Sequence, residues 1–213
     1  MADVFAKNQV TSADEAAKVV PRAEFRVFGQ GVIETVRAHM YNGKTVLYQA
    51  RRMPAETYLL SAHTHDANVK VRDGLLDIKL KVGETADGYE IFQPAGKFKF
   101  PVGRADLATI LSHLKVEMAL DQDSYSIERF IEMARAHPSL RVVLVEKMRY
   151  GFMVDRVICE YAEVWFNGAL VETACAESED YAGMKQVIEG LGIAGLPNTN
   201  YLRAAKRVVG LLV

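Results

Sequence analysis

Apolar and polar positions alternate with a period of two in several short stretches of the chain. Asn68-Val69-Lys70-Val71-Arg72 is followed across Asp73-Gly74 by Asp77-Ile78-Lys79-Leu80-Lys81-Val82. Lys97-Phe98-Lys99-Phe100 and Val145-Glu146-Lys147-Met148-Arg149 repeat the pattern further on. That period belongs to β-strands with one apolar and one charged face. Arg22 to Phe28 alternates in the same way, with Arg22, Glu24 and Arg26 on one face, and Glu56 to Leu60 predicts another strand.

Two turns fix the phase of these strands. A two-residue loop at Asp73-Gly74 sets Arg72 opposite Leu75. Residues 68, 70 and 72 then share a sheet face with 75, 77, 79 and 81. Lys70, Arg72, Lys79 and Lys81 converge there around Asp77, and Val69, Val71, Ile78, Leu80 and Val82 converge on the other side. The same loop at Asn167-Gly168 sets Phe166 opposite Ala169 and Glu163 opposite Glu172. On the alternate face Glu160 opposes Cys175 and lies diagonal to Glu177. Like charges directly opposed cost stability in a bare sheet, so a cation or basic group between them is expected.

A period near 3.6 appears elsewhere. Leu107, Ile110, Leu111 and Leu114 stripe a helix over 104–119. Ser126 to Ala136 is a second helix, ended near His137-Pro138. Asp180 to Leu191 is a third, stopped by Gly190-Leu191-Gly192, and Thr199 or Asn200 caps a last one running to Leu211. Leu140 to Arg149 reads as a strand. Residues 32–52 fit two readings. Val32, Ile33, Val36 and Met40 make a helical stripe, while Asn42-Gly43 is also a hairpin turn signal. Residues 1–21 form a polar, Ala-rich lead-in closed by Pro21, and 22–213 form one strand-rich α+β domain.

The chain has 213 residues and a formal net charge of −1, so no global field draws nucleic acid or an anionic membrane. Neither double-stranded nucleic acid nor a membrane is an expected partner. No apolar run is long enough to span a bilayer, and the first residues lack the basic-then-apolar order of a signal peptide. A cytoplasmic location is the default. The two cysteines, Cys159 and Cys175, fall on opposite sheet faces, which excludes a disulfide between them. No CxxC or paired His/Cys spacing suggests zinc. His63 and His65 read as surface residues.

Familiar catalytic signatures are absent: no Gly-rich phosphate loop leads a helix, and there is no G-x-S-x-G. A solvated sheet face would explain alternation alone. It does not explain sorting by sign. The basic residues group at 70/72, 79/81, 97/99 and 147/149, and the acids group over 155–177. A basic wall facing an acidic wall suits phosphate plus a divalent ion, with Lys and Arg on phosphate oxygens and carboxylates on Mg2+ or Mn2+.

Over roughly residues 22–211 this order of motifs resembles the CYTH superfamily, the triphosphate tunnel metalloenzymes. Glu24 is similar to the first acid of an opening E-x-E-x-K. Tyr58 in Glu56-Thr57-Tyr58-Leu59 is similar to the tyrosine of the strand before the first basic pair. Lys70 and Arg72 resemble an R-x-R pair, Lys79 or Lys81 the next strand lysine, and Lys147 and Arg149 a later K-x-R. Val171-Glu172 or Glu177-Ser178-Glu179-Asp180 resembles the late acidic strand, and Asn200-Tyr201 a terminal S-Y.

The resemblance implies an antiparallel β-barrel of about eight strands, braced by helices and forming a tunnel. It implies metal-dependent hydrolysis of an inorganic or organic triphosphate, with Arg26, Lys70, Arg72, Lys79, Lys81, Lys147 and Arg149 on the phosphates. Glu24 with Glu163 and Glu172, or with Glu160 and Glu177, would hold Mg2+ or Mn2+, and Glu24 or Asp155 would serve the attacking water. The first acidic pair is preferred, because the other face carries Val154, Ile158, Val164 and Phe166 and suits a helix-packed exterior. Two departures count against metal chemistry. Arg26 stands where the second Glu is expected and Phe28 where the Lys is, and Thr173, Ala174 and Cys175 interrupt the late acids. An Arg beside the metal position favours anion binding without metal. The alternative function is therefore a non-catalytic polyphosphate- or nucleotide-binding protein.

Overall fold

The computed structural model describes residues 20–211, together with the backbone but not the side chains of Leu47 and Tyr48. Apart from Val20 and Pro21, the expected lead-in lies outside the described residues. Elements follow in the order β1 (Arg22–Phe28), α1 (Val32–His39), β2 (Thr45–Ser61), β3 (Ala67–Arg72), β4 (Leu75–Glu84), β5 (Glu90–Lys99), β6 (Val102–Gly103), α2 (Arg104–His113) and β7 (Ser124–Tyr125). Then come α3 (Ile127–Ala136), β8 (Leu140–Val154), β9 (Val157–Phe166), β10 (Ala169–Ser178), α4 (Tyr181–Gly190) and α5 (Tyr201–Val208).

Eight strands close into an antiparallel barrel in the order β1-β10-β9-β8-β2-β3-β4-β5, and β6 pairs with β7 outside it. β1 completes the ring by pairing with β10 on one side and β5 on the other. The closed antiparallel barrel of eight strands braced by helices is the architecture expected from the sequence.

Both hairpins have the register expected from their turns. Arg72 pairs with Leu75, Lys70 with Asp77 and Asn68 with Lys79. Phe166 pairs with Ala169 and Glu163 with Glu172. Asp73, Gly74, Asn167 and Gly168 all have positive φ, as a two-residue hairpin loop twisted with its strands requires. Residues 32–52 resolve into a helix followed by the start of a strand, and no hairpin forms at Asn42-Gly43. Val32, Val36 and Met40 are buried on α1, and Asn42-Gly43 links that helix to β2 instead of joining two strands.

Three apolar clusters set inside from outside. The outer faces of β1, β9 and β10, through Phe25, Val27, Cys159, Tyr161, Ala174 and Ala176, pack under α1 and α4. The outer faces of β3 and β4, through Val69, Val71, Leu76 and Ile78, pack under Leu107, Ile110 and Leu111 of α2 and Phe130 and Ala134 of α3. The third cluster lies inside the barrel. Tyr58, Leu60, Val143, Val145, Ala162, Val164 and Phe166 surround Tyr201, Leu202 and Ala205 of α5. That helix stoppers one end of the barrel and leaves the rest of the interior to charged side chains. No helix among the described residues is long and apolar enough to cross a membrane.

Candidate functional site: a basic cavity inside the barrel

Period two carries alternate side chains of each strand inward, and closure brings them together. Arg22, Glu24 and Arg26 of β1, Lys70 and Arg72 of β3, and Lys79 of β4 line one cavity with Lys147 and Arg149 of β8, Glu160 of β9 and Glu177 of β10. Glu56 and Tyr58 of β2 and Asn200 and Tyr201 at the start of α5 complete the wall. Seven cations thus face four carboxylates, an excess of three positive charges.

Glu56 is the hub of the basic side. It is 2% exposed, and it accepts from Lys147 Nζ at 2.6 Å, Lys70 Nζ at 3.0 Å and Arg72 Nη1 at 3.3 Å. Burial alone would push its carboxyl up, but Lys147, Lys70 and Arg72 outweigh burial and hold it well below the usual carboxylate range. Burial in turn lowers Lys70 to about 8, against the pull of Glu56. Arg72 also reaches Asp77 at 2.9 Å. The rings of Tyr58 and Tyr201 lie 5.5 and 4.6 Å from Lys147 Nζ, a cation–π setting for a buried ammonium.

Arg26 organises the acidic side. Its Nε donates to Glu24 at 2.7 Å, Nη1 to Glu160 and to Thr173 Oγ1 at 3.3 Å each, and Nη2 to Cys175 Sγ at 2.9 Å. Its guanidinium carbon stands 4.4 Å from the centre of the Tyr201 ring. Burial opposes the charge on Arg26, yet the carboxylates of Glu24 and Glu160 outweigh it and hold its pKa above the ordinary value. Burial pushes the Cys175 thiol and the Tyr201 phenol well up as well, so both are protonated at neutral pH and Glu24 and Glu160 are the countercharges. Arg149 takes the other oxygen of Glu160.

Several expected positions need correction. Glu163 and Glu172 do oppose each other, but on the outer face. Glu172 serves α1 there, accepting from Ile33 N at 3.1 Å in the first turn of that helix, where a negative charge is favoured. Of the two alternative pairs, Glu160 and Glu177 are the one that lines the cavity. The apolar residues Val164 and Phe166 on their face do pack on a helix, but that helix is α5, inside the barrel. Asp155 occupies the exposed two-residue turn between β8 and β9, with Arg156, and is not part of the cavity. Lys81 sits nearby but is engaged by Glu84 and, at 3.2 Å, by Glu90.

Glu56 was missed as a site residue. A bulge between Met53 and Glu56, at Pro54-Ala55, lets both Met53 and Glu56 face inward despite their odd spacing. The available signal was its place two residues before Tyr58, on the same strand face.

The carboxylates present do not form a metal set. Glu24 lies in register between Glu90 and Glu177, and each interior acid already has a basic partner. Glu24 and Glu160 have Arg26, Glu177 has Arg22 at 3.6 Å, and Glu90 has Lys81, with Arg203 at 3.6 Å. Among the described residues no group of three or more His, Cys, Asp or Glu is placed to hold a metal ion.

No protein-family profile and no curated protein matches the chain. Solved structures similar to it include a conserved hypothetical protein from Pyrococcus furiosus, 13% identical, with 85% of this chain and 98% of that one covered and a TM-score of 0.46. A proposed adenylate cyclase from Bacillus halodurans is 12% identical over 86% of this chain and 96% of that one, also at 0.46. A proposed adenylyl cyclase from Hippeastrum, described as having a dominant triphosphatase activity, is 11% identical over 91% and 97%, again at 0.46. At those identities and TM-scores no activity or substrate transfers to this chain, and the closed antiparallel barrel stands on its own strand pairing.

Proposed function

We propose that the cavity binds a small anion carrying several linked phosphates, such as tripolyphosphate or a triphosphate ester. The excess of three positive charges among the side chains that line the cavity carries the reading, with Asp77 behind Arg72 as a further countercharge. Such an excess is costly in a partly dehydrated interior unless an anion enters. Lys79 lines the cavity and, among the described residues, forms no ion pair, so its ammonium is available at once. Two further lining groups have buried polar atoms without a hydrogen-bond partner, the Tyr201 hydroxyl and Asn68 Oδ1. The Tyr201 hydroxyl would donate to a phosphate oxygen. Arg72 and Arg149 would offer paired N–H donors, and Lys70, Lys79 and Lys147 point charges. The anion competes with Glu56 and Glu160 for these cations, so several phosphates are needed to win where one is not.

The test is titration calorimetry of the full chain with tripolyphosphate, with sulfate as the single-anion control. Tripolyphosphate is expected to bind and sulfate not to. Lys79→Met, which breaks no internal ion pair, is expected to weaken binding roughly tenfold, the loss of about one charge-assisted contact. Absence of binding by the parent, with or without Mg2+, refutes the proposal. Hydrolysis of the bound anhydride is implied by the family resemblance alone, and phosphate release in the same samples tests it.

A further inference from the structure

We infer that Arg26 is a resident cation on the acidic side of the cavity, so that a condensed phosphate binds as the free anion and a divalent ion weakens its binding. This rests on the reading of the cavity as an oligophosphate site and adds to it the form in which the ligand is taken.

The Arg26 side chain is 6% exposed and all three of its nitrogens are engaged. The site is built around it from several strands. Glu24 comes from its own strand, Glu160 from β9, and Thr173 and Cys175 from β10, with the Tyr201 ring of α5 against the guanidinium. Thr173 Oγ1 donates to Val27 O at 2.8 Å, which turns its lone pairs toward Arg26. Both oxygens of Glu160 are committed, one to Arg26 and one to Arg149. Mg2+ and Mn2+ take several oxygens at once. Here the oxygens it would need already coordinate a fixed cation, whose charge would repel it across a few ångströms. Displacing the guanidinium would leave it buried and unpaired, which is costly.

The same arrangement sets a preference among ligand forms. A divalent ion bound to tripolyphosphate cancels two of its charges and covers some of its oxygens. A cavity with seven fixed cations gains less from that complex than from the free anion. Metal and protein then compete for one ligand.

The experiment is calorimetry of the full chain with tripolyphosphate at constant ionic strength, in EDTA and in saturating Mg2+. Binding at least fivefold tighter in EDTA is expected. Equal or tighter binding in Mg2+ overturns the inference, and binding in Mg2+ alone does so while leaving the oligophosphate reading intact. No binding in either condition refutes both. As a second arm, Arg26→Gln releases Glu24 and one oxygen of Glu160, the other staying with Arg149. It is expected to bind tripolyphosphate more weakly and to acquire a Mn2+-dependent rise in melting temperature that the parent lacks. A Mn2+-dependent rise of the same size in the parent overturns the inference. Because that outcome and the EDTA comparison use the parent protein, they decide the matter even where the variant does not fold.

Discussion

Replacing Glu56 by Gln separates the structural demand of the cavity from its binding function, because the two respond with opposite sign. The carboxylate is buried and bridges Lys147, Lys70 and Arg72 at 2.6, 3.0 and 3.3 Å. Neutralising it leaves three cations close together with little solvent around two of them. Removing one partner from a buried ion pair costs about 3–5 kcal/mol. Lys70, already lowered to about 8, relieves part of this by giving up its proton, so a loss of about 3 kcal/mol is expected. The variant frees the same cations for an anion, and one less competing negative charge raises tripolyphosphate affinity by about tenfold, or ~1.4 kcal/mol. Urea unfolding with and without tripolyphosphate reads both quantities, the second through stabilisation by mass action. A change in stability below about 1 kcal/mol, or weaker tripolyphosphate binding, would refute the reasoning. The acid limb is a further check. The folded Glu56 pKa lies below its ordinary value of 4.5. Its contribution is therefore present above 4.5 and is lost as pH falls from there toward the folded pKa. The Gln variant should lack that part of the acid loss.

Lys70 gives a prediction on the alkaline side. Its pKa falls from 10.5 to about 8 on folding, so the unfolded chain binds the extra proton between those values, and the ligand-free protein should gain stability as pH rises through that window. Tripolyphosphate affinity should fall from pH 7 to pH 9 as the ammonium is lost; calorimetry across that range checks it, and a flat profile would contradict it. Tyr201→Phe removes a buried hydroxyl with no partner, so stability should stay level or rise by up to about 1 kcal/mol, while calorimetry should show severalfold weaker tripolyphosphate binding. Asn200 caps α5 by accepting from Arg203 N at 3.0 Å and donates to Glu90 at 2.8 Å. Asn200→Ala should cost about 2 kcal/mol in chemical denaturation, the upper range for a lost cap.

Much of the barrel was legible from local pattern. Asp73-Gly74 and Asn167-Gly168 fixed two hairpins and their register, and Ser126 and Asn200 marked helix starts whose side chains do accept from Arg129 N and Arg203 N. The turn at Asp155-Arg156 was not legible, because Arg156 stands where a hairpin signal would have glycine and gives no sign of the left-handed backbone it adopts, at φ 71°. The site was harder to read than the fold. Lys70, Arg72, Lys79, Lys147 and Arg149 were found because each shares a strand face with another basic residue. Glu56 was not, because the bulge at Pro54-Ala55 broke the count on which the face assignment depends.

The sequence by itself determined the phase of each strand and the pairs that oppose each other, since both follow from neighbours a few residues apart. It put Glu163 against Glu172 and Glu160 against Cys175, as the barrel has them. Only the tertiary structure decided which of those faces is the interior. Both faces of β9 and β10 carry apolar and acidic residues, and the choice falls when α1 and α4 cover one face and α5 enters the barrel against the other. Closure of β1 onto β5 and β10 then places Arg26 between acids from two strands, Glu24 of β1 and Glu160 of β9. The physical reason is range: periodicity and turn chemistry are local, whereas burial and ion pairing depend on side chains more than a hundred residues apart meeting in one enclosed space.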